Sequence, residues 1–205
     1  MSAQNRLFVI SAPSGAGKTS LVRALMEREP DLRFSISYTT RAQRPGEHHG
    51  QHYFFVAPER FQEMIADGAF LEHARVFDND YGTARAQVAS LLAEGHGVVL
   101  EIDWQGARQV RAAMPESVGI FILPPSRAEL ERRLRGRGTD TETVIRRRLA
   151  DAATDMSHWS EFQFVVVNDD FSTALQALSD IVRGRGEDSR AGRPELAPVV
   201  AALLA

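Results

Sequence analysis

Residues 7–20 read Leu-Phe-Val-Ile-Ser-Ala-Pro-Ser-Gly-Ala-Gly-Lys-Thr-Ser, an apolar run followed by a glycine-rich turn and a Lys-Thr pair. The run Leu7–Ile10 predicts a buried strand, and the residues from Leu21 onwards predict a helix. A glycine-rich turn between a strand and a helix directs consecutive backbone N–H groups inwards, and the helix N-terminus adds partial positive charge. The stretch therefore predicts a P-loop, a turn that binds phosphate groups.

Within this loop, we expect Lys18 to reach the β- and γ-phosphates of ATP and the Thr19 hydroxyl to bind Mg²⁺. Lys18 is the only lysine among 24 basic residues, which indicates a position where a compact ammonium is needed rather than a planar guanidinium. Ala12 replaces the first glycine of the P-loop pattern, so the backbone there must not require a positive φ. The residues expected to contact the ATP phosphates are Ala12, Pro13, Ser14, Gly15, Ala16, Gly17, Lys18, Thr19 and Ser20.

Further apolar runs alternate with amphipathic segments along the chain. The runs Val98–Ile102, Ile120–Leu123 and Phe164–Val167 suit strands that are covered on both faces, as in parallel sheets. The alternation predicts an α/β fold with a mostly parallel sheet flanked by helices. With the predicted P-loop, this is a fold of the P-loop nucleoside triphosphatase type. The helices are expected near 18–28, 84–94, 104–113, 126–135, 142–156 and 170–184.

Two regions interrupt this alternation. Residues 33–83 are rich in aromatic residues and turn residues and predict a small inserted lobe with a mixed or antiparallel sheet. Residues 127–148 contain eight arginines and four acidic residues, which favours a helical, arginine-rich lid that closes over phosphates. We expect one domain over 1–183, made of a core (1–32, 84–125 and 157–183), the lobe (33–83) and the lid (126–156). Residues 184–205 are expected to be a linker and a short helix that docks on the body or on another subunit.

Composition and charge narrow the functional classes. A formal net charge of −3 gives no sign of affinity for nucleic acid or membranes. The absence of cysteine excludes disulfides and thiolate metal sites. The N-terminus has no charged leader followed by a long apolar region, so we expect a cytoplasmic protein. The sequence leaves open whether it is a monomer or a homo-oligomer.

Taken together, the motifs resemble those of guanylate kinases over about residues 6–183. The motifs that carry the resemblance are the P-loop, Ser37…Thr39-Thr-Arg-Ala-Gln-Arg44…Gly46-Glu47…Tyr53, Glu72…Tyr81-Gly-Thr83, Glu101-Ile-Asp-Trp-Gln-Gly106, Arg133-Leu-Arg-Gly-Arg-Gly138 and Val167-Asn-Asp169. The resemblance implies the Mg²⁺-assisted, ATP-dependent phosphorylation of GMP, and of dGMP, by direct in-line transfer.

The resemblance also implies the residues that bind the acceptor. Those expected at the GMP phosphate are Ser37, Arg41, Arg44, Tyr53 and Tyr81, with Glu47 supporting the arginines. Glu72 and Thr83, assisted by Asp103, are expected to read the base. Guanine offers donors at N1 and N2 that one carboxylate can accept, whereas adenine presents an acceptor at N1 and leaves that carboxylate unpaired.

On the donor side, the resemblance points to Arg133, Arg137 and Arg148 as contacts of the ATP phosphates. With Lys18 and Arg41, they form the expected catalytic set. We expect Asn168, just after the last apolar run, to lie beside the adenine. The remaining lid arginines, Arg132, Arg135, Arg146 and Arg147, are expected to be solvated or paired with Glu131 and Glu142.

Three further points stay open from the sequence. Glu101 or Asp103, near a strand end, is expected to orient Mg²⁺ through water. His48, His49 and His52 lack a fourth zinc ligand at a sensible spacing and predict a solvated loop. There are two alternative functions: a non-catalytic binding module on the same fold, and a kinase for another acceptor such as a ribose bisphosphate.

Overall fold

The computed structural model describes residues 5–76, 78–136 and 141–205. The predicted catalytic residue Arg137 therefore lies outside the described residues. The strands are β1 (Leu7–Ser11), β2 (Leu32–Phe34), β3 (Tyr38–Thr39), β4 (Phe54–Phe55), β5 (Phe70–Val76), β6 (Asn79–Ala84), β7 (Gly97–Glu101), β8 (Val118–Leu123) and β9 (Phe164–Val167). The helices are α1 (Lys18–Arg28), α2 (Pro58–Ala66), α3 (Arg85–Ala93), α4 (Trp104–Ala113), α5 (Arg127–Arg135), α6 (Glu142–Ser157), α7 (Phe171–Val182) and α8 (Leu196–Leu204).

The main sheet of the described chain has five strands in the order β2-β7-β1-β8-β9. Every pairing in it is parallel, with β1 between β7 and β8. All five residues of β1 are buried, as the unbroken apolar run predicts. Because the strands run the same way, the carboxyl ends of β1, β7 and β9 meet at one edge, where ligands bind in open α/β sheets.

Helices cover both faces of this sheet. On one face, α1 and α7 pack around Phe8 and Ile10. On the other, α4, α6 and α8 pack around Leu100 and Phe121. These large side chains are at most 1% exposed, so each contributes roughly 1.5–3 kcal/mol through burial. The predicted α/β class and its mostly parallel, helix-flanked sheet are confirmed.

The second sheet has the order β4-β3-β6-β5 and is mixed, since β3 runs parallel to β4 but antiparallel to β6. Its own small core contains Phe61 and Met64 of α2 packed against Phe70 of β5. The sequence predicts strands in this region and does not predict α2. It also places residues 33 and 34 in the lobe, whereas β2 pairs with β7 of the main sheet.

The C-terminal residues pack onto the body. Leu196, Val200 and Leu203 of α8 are buried in the same core as α6. The preceding polar stretch also lies against β9, where the Arg193 guanidinium donates to the carbonyl of Val165 at 2.9 Å. The division into core, lobe, lid and tail stays a prediction. In the part of the chain that the structure describes, no helix has the length and apolarity needed to cross a membrane.

Candidate active site

The predicted P-loop occupies the turn between β1 and α1. Gly15 and Gly17 have φ values of 92° and 93°, a left-handed conformation that side chains rarely adopt. Among the described residues, Asn5 is the only non-glycine residue with a positive φ. The backbone at Ala12 therefore needs no glycine, which accounts for the departure from the usual P-loop pattern.

The first residues of α1 face the end of β7. The Lys18 ammonium donates to the carbonyl of Ile102 at 3.2 Å, and the Thr19 hydroxyl donates to Oε1 of Glu101 at 2.6 Å. The Ser11 hydroxyl also donates to the Ile102 carbonyl, at 2.9 Å. These contacts join the P-loop to the strand that carries the predicted magnesium-orienting carboxylates.

A cavity of about 560 Å³ opens in front of the P-loop. We call it the donor cavity. Its walls include the P-loop residues from Ala12 to Ser20 other than Ala16, together with Asp103 and Trp104. Helix α6 closes the opposite side through Arg147, Asp151 and Asp155. The volume and the phosphate-binding wall suit a nucleoside triphosphate.

A second cavity, of about 200 Å³, lies between the main sheet and the lobe, and we call it the acceptor cavity. Of the residues predicted to bind GMP, it is lined by Ser37, Tyr53, Glu72, Tyr81 and Asp103. Lys18 lines both the donor and the acceptor cavity. The structure thus places the P-loop lysine where the two spaces meet.

Glu72 is the buried carboxylate of the acceptor cavity, with only 3% of its surface exposed. Its Oε1 accepts a hydrogen bond of 2.6 Å from the Thr83 hydroxyl. Its Oε2 lies against Gly106 in the first turn of α4, where an added Cβ would overlap it. Burial, opposed by the Thr83 hydrogen bond, raises the pKa of Glu72 to about 7. Glu72 and Thr83 therefore form a hydrogen-bonded pair whose oxygens can accept further hydrogen bonds.

The predicted phosphate-binding arginines, Arg41 and Arg44, are not among the residues that line the acceptor cavity, but Arg41 contacts Tyr53, which does. Arg41 pairs with Glu47 at 2.7 Å and lies over the Tyr53 ring, 5.4 Å from its centroid. The other oxygen of Glu47 accepts from the backbone N–H of Arg44 at 2.8 Å. The hydrogen bond from Arg41 lowers the pKa of Glu47. The Arg44 side chain is exposed. Burial raises the pKa of the Tyr53 hydroxyl to about 12.

Of the predicted lid arginines, Arg133 reaches the P-loop region. Its Nε donates to Glu129 at 2.6 Å and its Nη2 donates to the carbonyl of Asn168 at 3.0 Å. Its Nη1 is buried without a hydrogen-bond partner among the described residues. Arg148 is half-buried on α6 and is not among the residues that line the donor cavity.

Asn168 is placed behind the P-loop rather than in the open part of the donor cavity. Its side chain is buried, and its Nδ2 donates to the carbonyl of Ala16 at 2.7 Å. It does not line the donor cavity. The expected contact with adenine therefore stays a prediction, beside an observed contact with the loop.

One wall of the donor cavity was not predicted from the sequence. Arg147, which the sequence predicts to be solvated or paired, lines the cavity with Asp151 and Asp155. Burial and the nearby Asp103 raise the pKa of Asp155 to about 6. The sequence carried a signal for this wall, because Arg147, Asp151 and Asp155 are spaced four apart and residues at that spacing share one face of a helix.

Of the other lid arginines, Arg135 and Arg146 pair with the acidic residues expected, whereas Arg132 pairs with Glu129 and Arg147 with Asp151. Arg135 bridges Glu131 and Glu142 at 2.8 and 2.5 Å. In the loop of the lobe, imidazole nitrogens of His49 and His52 accept hydrogen bonds from backbone N–H groups. Across the described ranges, no cluster of three or more potential ligand side chains is suited to hold a metal ion.

Comparison with known proteins agrees with this site. The family model described as guanylate kinase matches residues 4–185. Guanylate kinase of Sodalis glossinidius (strain morsitans) is 56% identical over 195 residues, covering 94% of this chain and 93% of that protein. Guanylate kinase of Escherichia coli (strain K12) is 56% identical over 183 residues, 88% of each chain. The crystal structure of guanylate kinase from Anaplasma phagocytophilum matches with a TM-score of 0.74 and 32% identity over 98% of this chain and 95% of that one. The chain belongs to the guanylate kinase family.

Proposed function

We propose that the protein transfers the γ-phosphoryl group of ATP to GMP, giving ADP and GDP. The observation that carries the proposal is the position of Lys18, which lines both the donor and the acceptor cavity. Phosphoryl transfer needs the two substrates in line and a cation at the moving group. A P-loop lysine that lines both cavities meets both needs.

Recognition of the acceptor follows from Glu72 and Thr83. The ionised Glu72 accepts hydrogen bonds from N1–H and N2–H of guanine, and the Thr83 hydroxyl that holds Glu72 adds a further polar contact. Adenine would bury its N1 acceptor against the carboxylate, at a cost of several kcal/mol. The phosphate of GMP is then held by Ser37, Arg41, Arg44, Tyr53 and Tyr81, with Glu47 supporting the two arginines.

Stabilisation of the moving phosphoryl group falls to Lys18 and Arg133. The Nη1 atom of Arg133 is buried and has no hydrogen-bond acceptor among the described residues. Leaving a charged donor buried without an acceptor costs free energy, unless a bound ligand supplies that acceptor. A phosphate oxygen of the donor nucleotide would supply it. Because the transition state spreads negative charge over the transferred oxygens, fixed cations here favour it over the ground state. Arg137 and Arg148 stay predicted contributors.

The residues beside the P-loop fit a magnesium ion. The Thr19 hydroxyl and the Glu101 carboxylate lie 2.6 Å apart, and hard oxygen donors of this kind are what Mg²⁺ prefers. Asp103 instead caps α4, accepting from the Gly106 N–H at 2.8 Å. We therefore assign Thr19 and Glu101 to the magnesium side. Bound Mg²⁺ neutralises charge on the donor phosphates.

The proposal is tested by measuring ADP release from MgATP with GMP, dGMP, AMP, CMP and UMP in parallel. We expect activity with GMP, weaker activity with dGMP, and little with the others. Lys18→Met should lower turnover with GMP by roughly 10³-fold or more, while Arg60→Met, a change at an exposed cation of α2, should not. Folded protein that releases no ADP with any acceptor would overturn the proposal in favour of a binding module. Use of dGMP and a cytoplasmic location stay predictions.

A further inference from the structure

The side chain of Asn168 is held against the P-loop by the architecture of the main sheet. The backbone N–H of Asn168 donates to the carbonyl of Leu123 at 2.8 Å, which extends the β8–β9 pairing by one residue. The sheet therefore fixes the point from which the side chain leaves the backbone. From there Nδ2 donates to the Ala16 carbonyl at 2.7 Å, in a buried setting where only 5% of Asn168 is exposed.

This hydrogen bond sets the orientation of the peptide between Ala16 and Gly17. No described peptide bond is cis, so the C=O and N–H of this peptide point in opposite directions. With the Ala16 carbonyl held on the side of Asn168, the Gly17 N–H is directed to the other side. Gly17 lines the donor cavity. The amide of Asn168 thus keeps the Gly17 N–H on the side of the loop that lines the donor cavity.

The packing leaves room for this contact and for little else. A Cβ at Gly17 would overlap Nδ2 of Asn168. On the side of Gly15, Leu130 and Leu134 of α5 lie within 3.1 Å of where a Cβ would stand. The backbone carbonyl of the same Asn168 accepts the hydrogen bond from Arg133. One residue therefore contacts both the P-loop and the arginine assigned to the transferred phosphate.

We propose that Asn168 is a positioning residue that braces the P-loop, so that its amide supports the binding of any triphosphate, whatever base that triphosphate carries. The inference rests on the proposed function, because it takes the P-loop as the site of the donor phosphates. It departs from the adenine contact expected from the sequence. A residue that reads adenine acts on ATP alone, whereas a brace acts equally on a ligand that has no base.

The test is calorimetric binding of MgATP, MgGTP and magnesium tripolyphosphate to the wild type and to Asn168→Leu, which keeps the size of the side chain and removes its donor. Loss of one buried hydrogen bond of this kind should weaken the binding of all three by a similar factor, roughly five- to thirty-fold. GMP affinity should not change. The matched control is Gln163→Leu at the other end of β9, where the amide bonds Gly119 N–H and the Ser117 carbonyl at 2.5 and 3.2 Å; it should leave all three affinities unchanged.

A loss confined to ATP would overturn the proposal in favour of adenine reading, and unchanged binding of tripolyphosphate would overturn it outright. If Asn168→Leu melts below the assay temperature, Asn168→Ser, which is smaller and polar, is measured against the same criteria. Binding needs no turnover, so the two proposals fail separately. If Asn168→Leu binds tripolyphosphate more weakly than the wild type does, but the wild type phosphorylates no GMP, the proposed function alone is refuted.

Discussion

Replacing Glu72 with glutamine should stabilise the fold and impair the use of GMP. Burial raises the pKa of Glu72 from 4.5 to about 7, so ionising this carboxyl inside the protein costs roughly 3 kcal/mol more than ionising it in the unfolded chain. Below pH 4.5 both states carry the proton and the carboxyl costs nothing. As pH rises from 4.5 to about 7, the carboxyl ionises only in the unfolded chain, so the free energy of unfolding of the wild type falls.

Glutamine has no charge to bury and keeps an oxygen for the Thr83 hydroxyl. The variant should therefore gain up to about 3 kcal/mol over the wild type at pH 8, and progressively less towards pH 5. For catalysis, the variant loses an ionised acceptor that serves two donors of guanine. Hydrogen bonds to charged groups contribute about 1.5–3 kcal/mol each, so kcat/KM for GMP should fall by roughly 10²–10⁴-fold.

The assay pairs urea unfolding at several pH values with steady-state kinetics, using Glu116→Gln as a control at an exposed carboxylate. A variant that is more stable yet nearly inactive with GMP cannot be explained by misfolding. The reasoning is refuted if Glu72→Gln keeps the wild-type kcat/KM for GMP. It is also refuted if the difference in the free energy of unfolding does not change between pH 5 and pH 8.

Further predictions concern the same site. The kcat/KM for GMP should fall tenfold per pH unit below about pH 7, because the Glu72 carboxyl takes up the proton that blocks base reading; a pH–rate profile of Glu72→Gln should lack this limb. Gly106→Ala should raise the KM for GMP by roughly tenfold without changing that for ATP, because the new methyl group displaces Oε2 of Glu72; equal effects on both substrates would contradict it. Arg133→Met should lower kcat by at least about 100-fold, whereas Arg135→Met, at an exposed residue paired with Glu131 and Glu142, should change it less than about twofold; similar losses in both variants would argue against a specific role for Arg133.

The main sheet and its helices were predictable because their signals are local. Four of the five parallel strands are short apolar runs, and the ends of the six predicted helices lie within two residues of the observed ones. β2 was missed because it has three residues, of which only Leu32 is buried. Helix α2 carried a usable signal, since Phe61 and Met64 are three apart and proline occupies its first turn, but the surrounding aromatic residues favoured strands.

The arrangement of the candidate site could be predicted only in part. The P-loop and the acceptor residues form motifs, and the structure brings most of them to two adjoining cavities. The contact between Asn168 and Ala16 spans 152 positions of the chain, and no local pattern encodes it. The fit of Glu72 against Gly106 is likewise a product of packing α4 onto β5. Such contacts depend on the sheet order, which the sequence pattern does not specify.

The most direct measurement is transfer of labelled phosphate from [γ-³²P]ATP in the presence of GMP, with separation of nucleotides, inorganic phosphate and protein. We predict that the label appears in GDP, that none remains on the protein, and that Lys18→Met lowers the transfer by roughly 10³-fold or more. Label that appears only in inorganic phosphate, or that stays on the protein, would contradict direct transfer between the two cavities that Lys18 joins.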